Sequence, residues 1–99
     1  MNPPPQSNEA RLTSAPSDAA GVAALVQARL SELAGEDVRP VSLALDFGPA
    51  CGKAGAARLE SWVDRRTRSL AFVRARLTTL DGLVIAAGSA VFSRPPESS

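Results

Sequence analysis

The stretch Ala56–Phe92, AARLESWVDRRTRSLAFVRARLTTLDGLVIAAGSAVF, decides the fold. Apolar and polar side chains alternate along three runs of it, the period of a strand with one buried face. Asp81-Gly82 predicts a two-residue type I′ hairpin between the last two runs, because Asp and Gly tolerate the positive φ angles that turn needs. Leu80 then faces Leu83. Stepping back from the turn pairs Leu77 with Ala86, Ala75 with Gly88 and Val73 with Ala90. The earlier hairpin falls within Arg65–Ser69. A loop at Arg66-Thr67 sets Leu59 beside Arg74 and Ser61 beside Phe72, which mixes the two faces. A turn centred on Thr67 pairs Trp62 with Phe72, Glu60 with Arg74 and Leu59 with Ala75. The second register sorts the side chains and is the one predicted, since burial penalises a wrong register along the whole strand.

The two faces differ in kind. One carries mainly small apolar residues, among them Ala57, Ala71, Ala75, Ala86, Gly88 and Ala90, with room for a helix backbone to approach closely. The other mixes Trp62, Phe72, Ile85 and Val91 with Arg58, Glu60, Asp64, Arg74 and Arg76, a composition suited to partial exposure or an interface. Arg74 and Arg76 are placed to pair with Glu60 and other carboxylates across strands. One helix against one face of an antiparallel sheet is an α+β domain.

The helix is found upstream. Val22, Leu25, Val26, Leu30 and Leu33 recur at helical spacing over Ser17–Ala34. Ser17 is the expected N-cap, Asp18 suits the positive end of the helix dipole, and Gly35 supplies the stop. Between helix and hairpins, Val41–Phe47 alternates cleanly, with Val41, Leu43, Leu45 and Phe47 on one side, and predicts a half-buried strand. Residues 48–55 form a loop. Residues 1–16, rich in Pro, Ser and Asn, are expected as a disordered arm, 17–95 as one domain and 96–99 as a disordered tail.

Composition narrows the function. A chain of 99 residues buries only about 60% of its unfolded surface, so association is a natural supplement to a thin core. The net charge of +1, with no Tyr, argues against nucleic-acid binding. Histidine is absent, which removes the commonest general base and metal ligand, and no metal site is expected. One cysteine, Cys51, forms no internal disulfide and fits a cytoplasmic location. No apolar run is long enough for a membrane span. Gly48-Pro-Ala-Cys-Gly-Lys53 is one residue short of a phosphate-binding loop, and Ala54 stands where Ser or Thr is required. Cys51 beside Lys53 has no base to activate it.

The segments VSLALDFGP (41–49), ARLESWVDRRTRSLAFVRA (57–75) and DGLVIAAGSAVF (81–92) together resemble the hotdog fold of the acyl-CoA thioesterase-like superfamily, in particular its small phenylacetate-pathway type. The likeness runs over residues 41–93. It implies one helix packed on a curved antiparallel sheet of about four strands. It implies a homodimer or tetramer, with an acyl-CoA thioester bound at the dimer interface. Coenzyme A then enters as part of the substrate, and no separate cofactor is expected. The family's His-Gly-Gly helix entry is reduced here to Ala20-Gly21. Counting on from it, the position of the family's catalytic carboxylate falls near Gln27 or Ala28.

Each candidate residue has a competing plain reading. Gln27 either orients a water or thioester carbonyl or is a polar residue on a helix flank. Glu32, the one carboxylate inside the helix, either acts as a base from a shifted position or is a solvated surface residue. Arg65, Arg66 and Arg68 either meet the coenzyme A phosphates, whose geometry arginine forks match, or form a solvated basic turn. The expected function is binding or hydrolysis of an acyl-CoA thioester. The alternative is a non-enzymatic acyl- or CoA-binding or assembly module on the same fold.

Overall fold

A computed structural model describes residues 8–53 and 55–95. The elements in chain order are β1 (Asn8–Leu12), α1 (Ala19–Ala34), β2 (Arg39–Phe47), β3 (Ala57–Arg66), β4 (Leu70–Thr79) and β5 (Val84–Ser93). The five strands form one antiparallel sheet in the order β1-β3-β4-β5-β2. α1 lies across β3, β4 and β5. Its buried residues Val22, Val26, Leu30 and Ala34 meet Leu59, Val73, Ala75, Leu77, Ala86 and Ala90 in one core. The predicted small-residue face is therefore the helix seat. A Cβ built on Gly88 would sit 2.8 Å from Val26 Cγ1 and 3.3 Å from Leu45 Cδ1, so only glycine admits the helix at this depth.

The fifth strand comes from the stretch expected to be a disordered arm. Asn8–Leu12 pairs with Ala57–Ser61 of β3, and Leu12 packs against the core. An otherwise bare β3 edge supplies the hydrogen-bond partners that five residues cannot supply for themselves. Residues 1–7 and 96–99, also expected to be disordered, lie outside the described residues. The helix starts at Ala19 with Asp18, not Ser17, as its N-cap: the Asp18 carboxylate accepts from Gly21 N–H at 2.9 Å.

The β4–β5 register matches expectation at Val73–Ala90, Ala75–Gly88 and Leu77–Ala86, although the turn does not. Gly82 N–H donates to Thr79 C=O (3.0 Å) and Thr79 N–H to Leu83 C=O (2.8 Å). Of the two residues expected at positive φ, only Gly82 has it. This is a three-residue loop, Leu80–Gly82, ending in a glycine bulge, so Leu80 does not face Leu83. The displacement is undone one step later, where Thr78 pairs with Val84 and Ile85 is left as an extra residue. The bulge turns Ile85 into the core, away from the face expected for it.

The β3–β4 register is corrected by two residues. Trp62 faces Arg74, Glu60 faces Arg76 and Leu59 faces Leu77. The loop is Arg68-Ser69, closed by Thr67 N–H to Leu70 C=O (2.8 Å) and Leu70 N–H to Thr67 Oγ1 (2.9 Å). Arg94 fixes it from a distance, donating its N–H to Ser69 C=O (2.7 Å) and its guanidinium to Thr67 C=O (2.9 Å). A slip of two leaves each side chain on its own face, which is why the face assignment survives the wrong pairing. The expected cross-strand pairing of Arg74 and Arg76 with carboxylates is present as Arg76–Glu60 (3.2 Å) and Arg74–Asp64 (3.5 Å), and a further pair that was not expected, Arg58–Glu9 (3.4 Å), joins β3 to β1.

β2 departs most from expectation. Among the described residues it pairs only with β5, at the far edge of the sheet, an edge position that tolerates Pro40. Leu43, Leu45 and Phe47 stand on the helix side opposite Ala90, Gly88 and Ala86, while Val41 is extruded in a bulge. α1 is seated over the neighbouring strands and covers little of β2. Val41, Leu43 and Phe47 are 60%, 45% and 48% exposed, where a half-buried strand was expected.

Candidate functional site

Because α1 stops short of β2, a groove opens between them. It has a volume of about 230 Å³. Leu30, Leu43, Ala90 and Phe92 give it an apolar floor, and Gln27, Ser31, Asp37 and Ser42 bring polar groups to it. Gln27 and Ser31 are one turn apart on the outer flank of α1. Asp37 arrives by a sharp reversal. Gly35 ends the helix at φ 104° and Asp37 takes φ 59°, so only four residues separate Ala34 from β2. An apolar floor with a few convergent polar groups is the usual form of a small-molecule site.

Of the residues singled out from sequence, Gln27 lines this groove and Glu32 does not. Five residues along a helix turn Glu32 about 140° away from Gln27, onto an exposed face. The two residues are not brought together. Asp37, the one ionisable residue lining the groove among the described residues, was missed by sequence reading. The signal that could have found it is the very short link between Gly35 and the first β-period residue.

The three arginines diverge. Arg65 lies over the Phe72 ring, 5.6 Å from its centroid, on the sheet face away from α1. Arg66, opposite Ala71, reaches the helix side, where its Nη2 is 3.5 Å from Leu33 C=O. Arg68 sits exposed in the β3–β4 turn. The N-terminus of α1 already holds the Asp18 carboxylate, and the groove lies toward the opposite end of the helix. Among the described residues no three His, Cys, Asp or Glu side chains gather as a metal site. Cys51 is free and packs beside the core.

Further concavities lie elsewhere among the described residues. One of about 150 Å³ is on the outer sheet face, among Phe72, Arg74, Asp64 and Ser89. Another, about 390 Å³ and wide open, lies beside Lys53 and Asp81 at the β4–β5 turn. There the Thr79 hydroxyl donates to the Asp81 carboxylate, which holds its pKa below the ordinary 3.8. No helix among the described residues is long and apolar enough to cross a membrane.

No known family profile matches the sequence, and no curated protein matches it. Solved structures do. The zebrafish thioesterase superfamily member 2 aligns over 96% of this chain and 79% of its own at 16% identity, TM-score 0.71. A hypothetical thioesterase from Streptococcus pneumoniae, solved with coenzyme A, aligns over 95% and 82% at 11% identity, TM-score 0.71. A phenylacetic acid degradation-related protein from Ralstonia eutropha aligns over 88% and 75% at 20% identity, TM-score 0.67. At such identities the likeness speaks for the fold. The helix on its five-stranded antiparallel sheet is the hotdog fold found in thioesterase-superfamily proteins.

Proposed function

We propose that this chain is a thioesterase-like hotdog protein that binds an acyl-CoA thioester in the α1–β2 groove and hydrolyses it, working in the cytoplasm as a homodimer, or as a tetramer built from such dimers. The observation that carries this reading is the uncovered rim of the groove. Among the described residues, Leu43 and Phe47 stand on the helix side of β2 with no helix over them, and nothing pairs with the outer edge of β2. A second copy set edge to edge along β2 covers that face, and the groove then lies at the interface. The CoA-bound Streptococcus pneumoniae structure supports a CoA thioester as the ligand class. Arg65, Arg66 and Arg68 are proposed to meet the CoA phosphates.

A second reading, a non-enzymatic acyl- or CoA-binding or assembly module, is favoured by one specific observation. The chain has no histidine, and the α1 residues that line its groove, Gln27, Leu30 and Ser31, include no carboxylate. The test follows free thiol release from short, long and aromatic acyl-CoAs, with Gln27→Ala and Glu32→Ala run alongside. Turnover that falls in Gln27→Ala supports the hydrolase. No turnover by the unmodified protein removes that reading. Saturable CoA binding lost on replacing Arg65, Arg66 and Arg68 together then supports the binding module.

A further inference from the structure

Phe47 packs against nothing in the core of its own chain. It is 48% exposed, and it belongs neither to the core nor to the half-buried residues packed on it, whereas Leu45 on the same side of β2 does pack there. A large aromatic left out at an unpaired sheet edge is what an association surface presents. On the dimer proposed above, two copies of β2 run antiparallel about a two-fold axis. Pairing the whole strand, Arg39–Phe47, centres it on Leu43, which then faces its own copy. The bulge at Val41 sets two residues against one. Leu45 of one copy therefore comes opposite the partner's Pro40, and Phe47 comes opposite the partner's Val38. Residues directly opposite on antiparallel strands share a face. Pro40 pairs with Phe92, and Val38, Pro40 and Phe92 all line the α1–β2 groove. A slip that centres the pairing on Ala44 sets Phe47 opposite Pro40 instead, still at the groove.

We propose that Phe47 acts in the groove of the other copy: its ring closes the open side beside Val38 and Pro40 and limits the length of acyl chain the site admits. The inference rests on the acyl-CoA reading above. The acyl chain lies along Leu30, Leu43, Ala90 and Phe92, and its tip meets the partner's Phe47. With that side closed, the groove of about 230 Å³ holds about eight non-hydrogen atoms at a liquid-like share of about 30 Å³ each. The ligand class is therefore a medium-chain acyl-CoA. A longer chain leaves its tail in water or displaces the ring, and either loses apolar burial. Each chain supplies one groove and the end wall of its neighbour's groove.

The test measures binding of coenzyme A thioethers, which no hydrolase consumes, carrying an octyl or a dodecyl chain. The unmodified protein is expected to bind the octyl compound about 10-fold tighter than the dodecyl compound. Phe47→Ala lowers octyl affinity about 10-fold and makes dodecyl the better ligand, because the longer chain runs on into the space left by the ring. A dimer merely loosened by the substitution loses affinity for both chains alike and keeps their ratio, a result that overturns the role of Phe47 and leaves the acyl-CoA reading standing. A hybrid dimer decides whether the ring acts across the interface. Ser31 is exposed on α1 and lines the groove, so Ser31→Trp blocks its own groove without entering the core. Phe47→Ala and Ser31→Trp chains, co-expressed with different affinity tags, are purified as the hybrid. Its one open groove faces an intact Phe47, so the hybrid recovers one tight octyl site per dimer, which neither parent variant has. A hybrid that binds no better than Phe47→Ala overturns the proposal. If the unmodified protein binds neither thioether, the acyl-CoA reading and the role of Phe47 fall together.

Discussion

Gly88 sets the depth at which the helix lies on the sheet. Its missing side chain is filled from one side by Val26 Cγ1 and from the other by Leu45 Cδ1. Val26 is fully buried and, being β-branched on a helix, has one strongly preferred rotamer. It cannot swing away. Gly88→Ala is therefore expected to destabilise the fold by about 1–3 kcal/mol as an overpacked core, although alanine suits a strand better than glycine does. The companion variant Val26→Ala opens space at the same point. Combined, the two are expected to cost less than the sum of their separate effects, with thermal unfolding of all three variants as the readout. Strict additivity would place the strain elsewhere. This position was legible in the sequence, since a face of Ala and Gly amid strands has few uses other than close approach of a backbone.

At the scale of elements, turns decide register, and here sequence reading met its limit. Asp81-Gly82 announced a hairpin correctly, but the turn took three residues rather than two and a bulge at Ile85 absorbed the difference. The β3–β4 loop is held by Arg94, far along the chain, a contact that no local pattern around Thr67 can reveal. Faces survived both errors because a strand repeats every two residues. The Asp81 turn makes a testable claim. The Thr79 hydroxyl first, then the Asp81 backbone, lower the Asp81 pKa; desolvation opposes them, and the charge of Lys53 adds least. The folded state thus favours the ionised form. The stabilisation is complete above the ordinary value of 3.8 and fades as pH falls through the lower folded value. Asp81→Asn should remove this share of the acid-limb pH dependence while leaving the slope of stability near neutral pH unchanged. A small effect is expected, because the group is fully exposed. An unaltered acid limb in urea titrations from about pH 2 to 5 would falsify the coupling.

At the scale of the molecule, the helix was read correctly as a core element, yet its lateral position was invisible. Nothing in the alternation of Val41–Phe47 says whether α1 reaches that strand. The same gap hid the groove, since Gln27 could be placed on a helix but Asp37 could not be placed against it. What the seat of α1 leaves over is an apolar strand, β2, at a free sheet edge, an arrangement that in isolation invites association. On the proposed dimer this edge is where the second copy binds, so folding and assembly are linked by mass action. The melting temperature should then rise by several degrees for each tenfold increase in protein concentration. Leu43→Lys puts a charge on the uncovered face without entering the core of one copy. It should yield a monomer by light scattering, a melting temperature independent of concentration, and weaker binding of acyl-CoA, because Leu43 also floors the groove. An unmodified protein that stays monomeric at high concentration, with a melting temperature that does not move, would show that the Leu43–Phe47 face is left to solvent and that the site is complete within one chain.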